Sequence, residues 1–235
     1  QYIKKIIDKG VMTSLNCSEE VKLAEELISM HKWSDMVRFC RSGGEANSVA
    51  IRIARAASGK DNIAVCGYHG WHDWYLSANL NKGDLDQHIL PGLPIKGVPK
   101  KLKNTTFTFE YNNFDQLKKI VEKNKIGVIK MEVARTTQPK NNFLQKVRKL
   151  ATKKNIILIF DECSSGFRET FGGIYQKYNV DPDMIMYGKT IGNGYALTAV
   201  LGRRSIMESA QSTFISSTFW TERIGPTAAL ATLEL

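Results

Sequence analysis

Long apolar runs are missing from this 235-residue chain: nothing approaches the roughly 18 consecutive apolar residues that a membrane helix needs. Cysteine is scarce, and its four copies (Cys17, Cys40, Cys66, Cys163) form no C-x-x-C pair. That spacing argues against a zinc site or a disulfide framework and for a reducing compartment. The expected location is therefore cytoplasmic, with no signal peptide expected. Internal repeats and low-complexity tracts are also absent. The chain begins "QYIKKIIDKG" without methionine and stops at "AALATLEL" within a helical pattern, so the expectation is a piece of a longer protein.

The 43% apolar and 24% charged residues are ordinary for a soluble globular protein, and the length allows one large domain or two small ones. The net charge of +10 raises the question of an anionic partner. Its lysines, however, fall in segments such as "KGVPKKLKN" and "QKVRKLATKKN", mixed with apolar positions. That is the pattern of a solvated basic face, and no nucleic-acid-binding module accompanies it.

The periodicity alternates between strand and helix. Ala46, Val49, Ala50, Ile53, Ala54 and Ala57 follow helical spacing, with Arg52 and Arg55 on the other face. Short apolar runs at Ile63–Val65, Val128–Met131, Ile156–Phe160, Met184–Tyr187 and Ala196–Leu201 suit buried strands of a mostly parallel sheet. Helices are predicted at Phe114–Asn124, Leu144–Lys154 and Gly173–Tyr178, and Asn81–Lys103 reads as a long loop. The result is an α/β layered fold.

Lys189 stands in "DMIMYGKTIGNGYALTAV", a run otherwise apolar or glycine-rich. Gly188-Lys189-Thr190 looks like the tail of a Walker A loop, but Asp183 occupies the place of the first glycine, so the phosphate cradle is incomplete. Two readings stay open: a lysine snorkelling from a strand end, or a desolvated nucleophile with a lowered pKa beside a flat ligand. "ILIFDECSSGF" ends a buried strand with Asp161-Glu162, where a carboxylate needs a cation; a protonated pyridine nitrogen would serve, and so would a turn to cap. Ser42-Gly43-Gly44 precedes a helix, as an anion site or an ordinary cap. "GYHGWHDWY" offers aromatics able to stack on a cofactor, and its His69-x-x-His72 spacing lacks the further ligands of a metal site.

Taken together, Ser42-Gly43-Gly44-Glu45-Ala46, Tyr68-His69-Gly70, Asp161-Glu162 with Gly166-Phe167-Arg168, and Gly188-Lys189 resemble the class III pyridoxal-phosphate-dependent aminotransferases. The likeness is to glutamate-1-semialdehyde 2,1-aminomutase and its relatives. It runs from about Met36 to the C-terminus, with Lys189 following Asp161 by 28 residues.

The resemblance implies a PLP-dependent transferase of fold type I, with a central, mainly parallel, seven-stranded sheet flanked by helices. Residues 1–235 would then form the cofactor-binding large domain, with an N-terminal segment and a C-terminal small domain missing or truncated. The implied cofactor is pyridoxal 5'-phosphate. Lys189 would form the internal aldimine and shuttle a proton, and Asp161 would pair with the pyridine nitrogen. Ser42, Gly43 and Gly44 would bind the phosphate. Tyr68 would stack on one ring face and Cys163 lie against the other. His69 and Glu132 belong to the same implied cofactor set. Thr218, in "SSTFW", would reach the cofactor of a neighbouring subunit, which implies a homodimer.

Three departures from the family pattern are visible: Glu132-Val133-Ala134-Arg135 lacks a proline, Asn193 interrupts a glycine run, and Cys163 replaces a branched aliphatic residue. The implied substrates are a small-molecule amino donor and a carbonyl acceptor, with intramolecular transfer by an aminomutase as the alternative. No nucleic acid, membrane or metal is expected. A nucleotide-binding ATPase and a noncatalytic relative are the remaining readings.

Overall fold

The apolar runs assemble into one seven-stranded sheet in a computed structural model that describes residues 1–82, 92–134 and 136–235. The strands are β1 (Met36–Cys40), β2 (Asn62–Cys66), β3 (Thr106–Thr108), β4 (Ile126–Glu132), β5 (Ile157–Glu162), β6 (Met184–Tyr187) and β7 (Thr198–Gly202), in the order β1-β7-β6-β5-β4-β2-β3. β3, β2, β4, β5 and β6 pair in parallel. β7 is antiparallel to both β6 and β1, so β1 points the same way as β6. Six strands therefore deliver their C-terminal ends to one edge, and β7 starts from that edge.

Helices cover both faces. α1 (Tyr2–Asp8), α2 (Ser18–Met30), α3 (Gly43–Ser58), α4 (Asp73–Leu76), α5 (Asn79–Lys82), α6 (Phe114–Lys123), α7 (Phe143–Lys153), α8 (Arg204–Met207) and α9 (Ile224–Leu233) follow in chain order. The alternation of β4 shows how the layers separate. Val128 points into a core with Ala50 and Ile53 of α3, Met186 of β6 and Met207 of α8. Ile129 and Met131 point the other way, to Leu23 and Leu27 of α2, Leu117 of α6 and Val147 of α7. β4 to β7 are buried along their whole length, which is why their sequences are largely apolar and not alternating, with charges only at Lys130 and at the strand-end carboxylates of β4 and β5. Each fully buried leucine or isoleucine contributes about 1.5–3 kcal/mol of burial.

α3 begins two residues earlier than its periodicity predicts because Ser42 caps it, its side chain accepting from the Glu45 amide at 3.3 Å. Glu45 reaches back to the Arg41 amide at 2.7 Å, and Gly59 ends the helix at φ +64°. The other differences from the sequence reading are local. The predicted helix Gly173–Tyr178 is a 3-10 helix over Ile174–Tyr178, and the predicted strand Ala196–Leu201 is β7, antiparallel and shifted to Thr198–Gly202. β1 and β3 join as strands that the apolar runs do not mark. Residues 83–91 of the expected long loop, and Arg135 of Glu132-Val133-Ala134-Arg135, lie outside the described residues. Among the described residues no helix is long and apolar enough to cross a membrane.

Candidate active site

The sequence-marked residues gather at the C-terminal edge of the sheet, where parallel α/β folds place their ligand groups. Asp161 and Glu162 end β5, and strand alternation sends them to opposite faces. Glu162 turns to the α7 side and accepts the amides of Ile174 at 2.7 Å and Tyr175 at 2.9 Å. It is a structural clamp on the loop that follows. Burial pushes its carboxyl up to about 7, against the downward pull of those two amides.

Asp161 turns to the α3 side and is buried. Its Oδ2 meets His69 Nδ1 at 2.8 Å and lies 3.5 Å from Lys130 Nζ, while Oδ1 accepts the Cys163 amide at 3.1 Å. Burial alone raises a carboxyl, but Lys130, His69 and the amide outweigh it and hold Asp161 well below the usual carboxylate range. A carboxylate offers about four acceptor positions, so three donors leave room for another. His69 Nε2 also faces the Cys66 carbonyl at 3.2 Å. Both partners of the ring are acceptors, so a neutral imidazole satisfies one of them and an imidazolium both.

Lys189 follows β6, the strand beside β5, and its Nζ donates to Ser164 Oγ at 2.9 Å. Its backbone is left-handed at φ +47°, a strained choice for a lysine of the kind concentrated at functional sites. Of the two settings left open for it in the sequence, the exposed one is observed: Lys189 is exposed, not desolvated. Gly188 before it is hemmed in. A Cβ there would lie 3.1 Å from Thr198 Cγ2 and 3.2 Å from Cys163 Sγ. Thr198 Oγ1 donates to the Ser42 carbonyl at 3.3 Å, which ties the cap of α3 to the start of β7. The Cys163 thiol is buried and its pKa raised well above the ordinary value by that burial.

The "GYHG" loop completes the edge. The Tyr68 amide donates to Glu132 Oε2 at 3.1 Å, and Gly67 (φ +112°) makes way for that carboxylate, since a Cβ would stand 2.6 Å from it. The Tyr68 ring is partly exposed and packs edge-on against Tyr75. Gly70 packs against Gly44, and a Cβ on Gly44 would meet His72 Nε2 at 2.9 Å. A Cβ on Gly43 would meet nothing within 4 Å, so the space beside its Cα is open. His69 and His72 face different partners, the latter bonding Ser48 Oγ at 2.6 Å. Thr218 is exposed, in a 3-10 turn whose Phe219 carbonyl is bonded by Arg41.

Sequence reasoning passed over Lys130 and Ser164. The signal for Lys130 was a charge inside the β4 run "IGVIKME", at the same strand parity as Glu132.

The family model for "Aminotransferase class-III" matches residues 1–235. The chain belongs to this family. It is 36% identical over 242 residues to the 3-aminobutyryl-CoA aminotransferase of Cloacimonas acidaminovorans, covering 99% of this chain and 55% of that protein. It is 33% identical over 246 residues to the glutamate-1-semialdehyde 2,1-aminomutase of Methanothermobacter thermautotrophicus, covering 100% and 57% respectively. Among solved structures, an omega-transaminase from Sphaerobacter thermophilus superposes with a TM-score of 0.87 at 25% identity, over 99% of this chain and 57% of that one. This class III chain spans little more than half the length of these relatives. The expected α/β fold with a mainly parallel seven-stranded sheet is the one that superposes.

Proposed function

We propose that this chain forms the pyridoxal-phosphate-binding large domain of a cytoplasmic enzyme that moves an amino group between an amino compound and a carbonyl compound. The observation that carries this reading is the pairing at the sheet edge. A buried, ionised Asp161 ends β5 with an acceptor position to spare, and Lys189 leaves the adjacent strand on a strained turn.

The residues present fit the cofactor. Asp161 would accept the protonated pyridine nitrogen. Tyr68 and Cys163 would flank the ring, with Gly188 leaving space where a Cβ would crowd Cys163. Ser42, Gly43 and Gly44 would hold the phosphate at the N-terminus of α3, whose first amides lie outside the intrahelical ladder. His69 orients Asp161, and Glu132 fixes the Tyr68 backbone. Pyridoxal phosphate, when bound, supplies the electron sink for substrate carbanion chemistry. Lys189 would anchor the cofactor covalently through its amine, and that amine, freed when a substrate amine takes its place, would accept a proton from the substrate carbon and return it. Asp161 would hold the proton on the ring nitrogen. Thr218, exposed on its turn, would reach the cofactor of a second copy in a homodimer.

The second reading is intramolecular transfer, favoured by the 33% identity to an aminomutase. One experiment tests both: supply the loaded protein with a single amino-aldehyde and no other carbonyl compound. Isomerised product identifies a mutase. Turnover that starts only when a second carbonyl compound is added identifies a transferase. No reaction with any amino donor overturns the proposal.

A further inference from the structure

Behind the proposed pyridine partner lies a lysine with no exposure to solvent. Lys130 pairs with Ile159 in the β4–β5 register, one strand pleat back from Asp161, and its side chain is fully buried. Its ammonium sits 3.5 Å from Asp161 Oδ2 and 2.9 Å from Met186 Sδ, a weak acceptor. Glu132 from its own strand and Cys163 beyond β5 also act on its charge, and His69 shares the same Oδ2. α3, packed over this face, buries Ala46, Asn47, Val49, Ala50, Ile53 and Ala54, none of them titratable. Taking an ammonium out of water costs more than packing returns, and an apolar side chain of similar volume would make the stabler strand. The lysine therefore calls for an electrostatic reason.

We propose that Lys130 is a positioning residue that loosens the hold of Asp161 on the pyridine proton. The inference rests on the cofactor reading above. One carboxylate faces two cations, and the charge Lys130 draws on Oδ2 is withheld from a ring nitrogen bound to the same group. The ring nitrogen then releases its proton at lower pH than it would beside an apolar neighbour. Burial pulls Lys130 below its ordinary value, and the Asp161 carboxylate 3.5 Å away pulls it back up.

The test uses the full-length protein loaded with pyridoxal phosphate isotopically labelled at the ring nitrogen, whose NMR shift is followed against pH. Lys130→Met should keep the ring protonated to a pH about one unit or more higher than wild type. Lys130→Arg, which keeps the charge, should follow wild type. Lys130→Gln supplies the neutral case if the methionine variant does not fold. Superimposed curves for wild type and both neutral variants overturn the inference, as does an arginine variant that shifts with them. Wild type that takes up no cofactor instead overturns the reading beneath it.

Discussion

His69 and Asp161 stand 92 residues apart in the chain, yet imidazole Nδ1 and carboxylate Oδ2 meet at 2.8 Å with both groups buried. The contact joins the loop after β2 to the end of β5, across the intervening β4. It aims a carboxylate that strand geometry alone would leave free to rotate. Replacing His69 with phenylalanine removes a charge-assisted bond and should cost about 1.5–3 kcal/mol of Asp161 ordering. Titration of the variant with pyridoxal phosphate, read by absorbance, should show roughly tenfold or weaker binding. Unchanged affinity would mean that Lys130 and the Cys163 amide suffice.

Gly67 tests the second support of the same loop. Alanine there would force a left-handed backbone on a residue with a Cβ and drive that Cβ to 2.6 Å from Glu132. Gly67→Ala should destabilise the fold by about 1–3 kcal/mol in urea unfolding. A smaller loss in a Gly67→Ala, Glu132→Ala double variant than the sum of the single losses would confirm the clash as the cause.

The cap of α3 is separable from the phosphate role proposed for it. Ser42→Ala should cost about 1 kcal/mol of stability through the lost bond to the Glu45 amide. Ser42→Asp retains a capping acceptor but places a negative charge where a phosphate would sit. It should unfold near the wild-type midpoint and bind cofactor more weakly than Ser42→Ala. Equal affinities in the two variants would move the anion site elsewhere.

Much of this arrangement was legible in the sequence, for a physical reason in each case. β4, β5 and β6 are buried on both faces, so their runs stand out from the polar helices around them. β1 escaped because Met36–Arg38 is only half-buried and Arg38 breaks the run, and β3 because it has three residues at the sheet border. The reversed direction of β7 follows from pairing, which no local pattern encodes. Lys189 and Asp161 were found as a motif. Lys130 was hidden because its meaning depends on the register that brings it beside Asp161. The exposure of Lys189 depends on the turn after β6, whose φ of +47° its sequence neighbours do not announce.

Glu162 predicts a pH dependence. Burial raises its folded value to about 7, above an unfolded value near 4.3. The stability it contributes is therefore full below about 4.3 and lost as pH rises through 7. Relative to Glu162→Gln, wild type should lose on the order of 2 kcal/mol between pH 5 and pH 8 in urea titrations. Parallel curves for the two proteins would place the proton elsewhere.

The most direct test of the account is chemical labelling. Full-length protein incubated with pyridoxal phosphate, reduced with borohydride and digested should yield one phosphopyridoxyl peptide, modified at Lys189. Lys189→Ala should yield none while still binding the cofactor without a covalent bond. A label on another lysine, Lys130 included, or a protein that takes up no cofactor, would contradict the central claim.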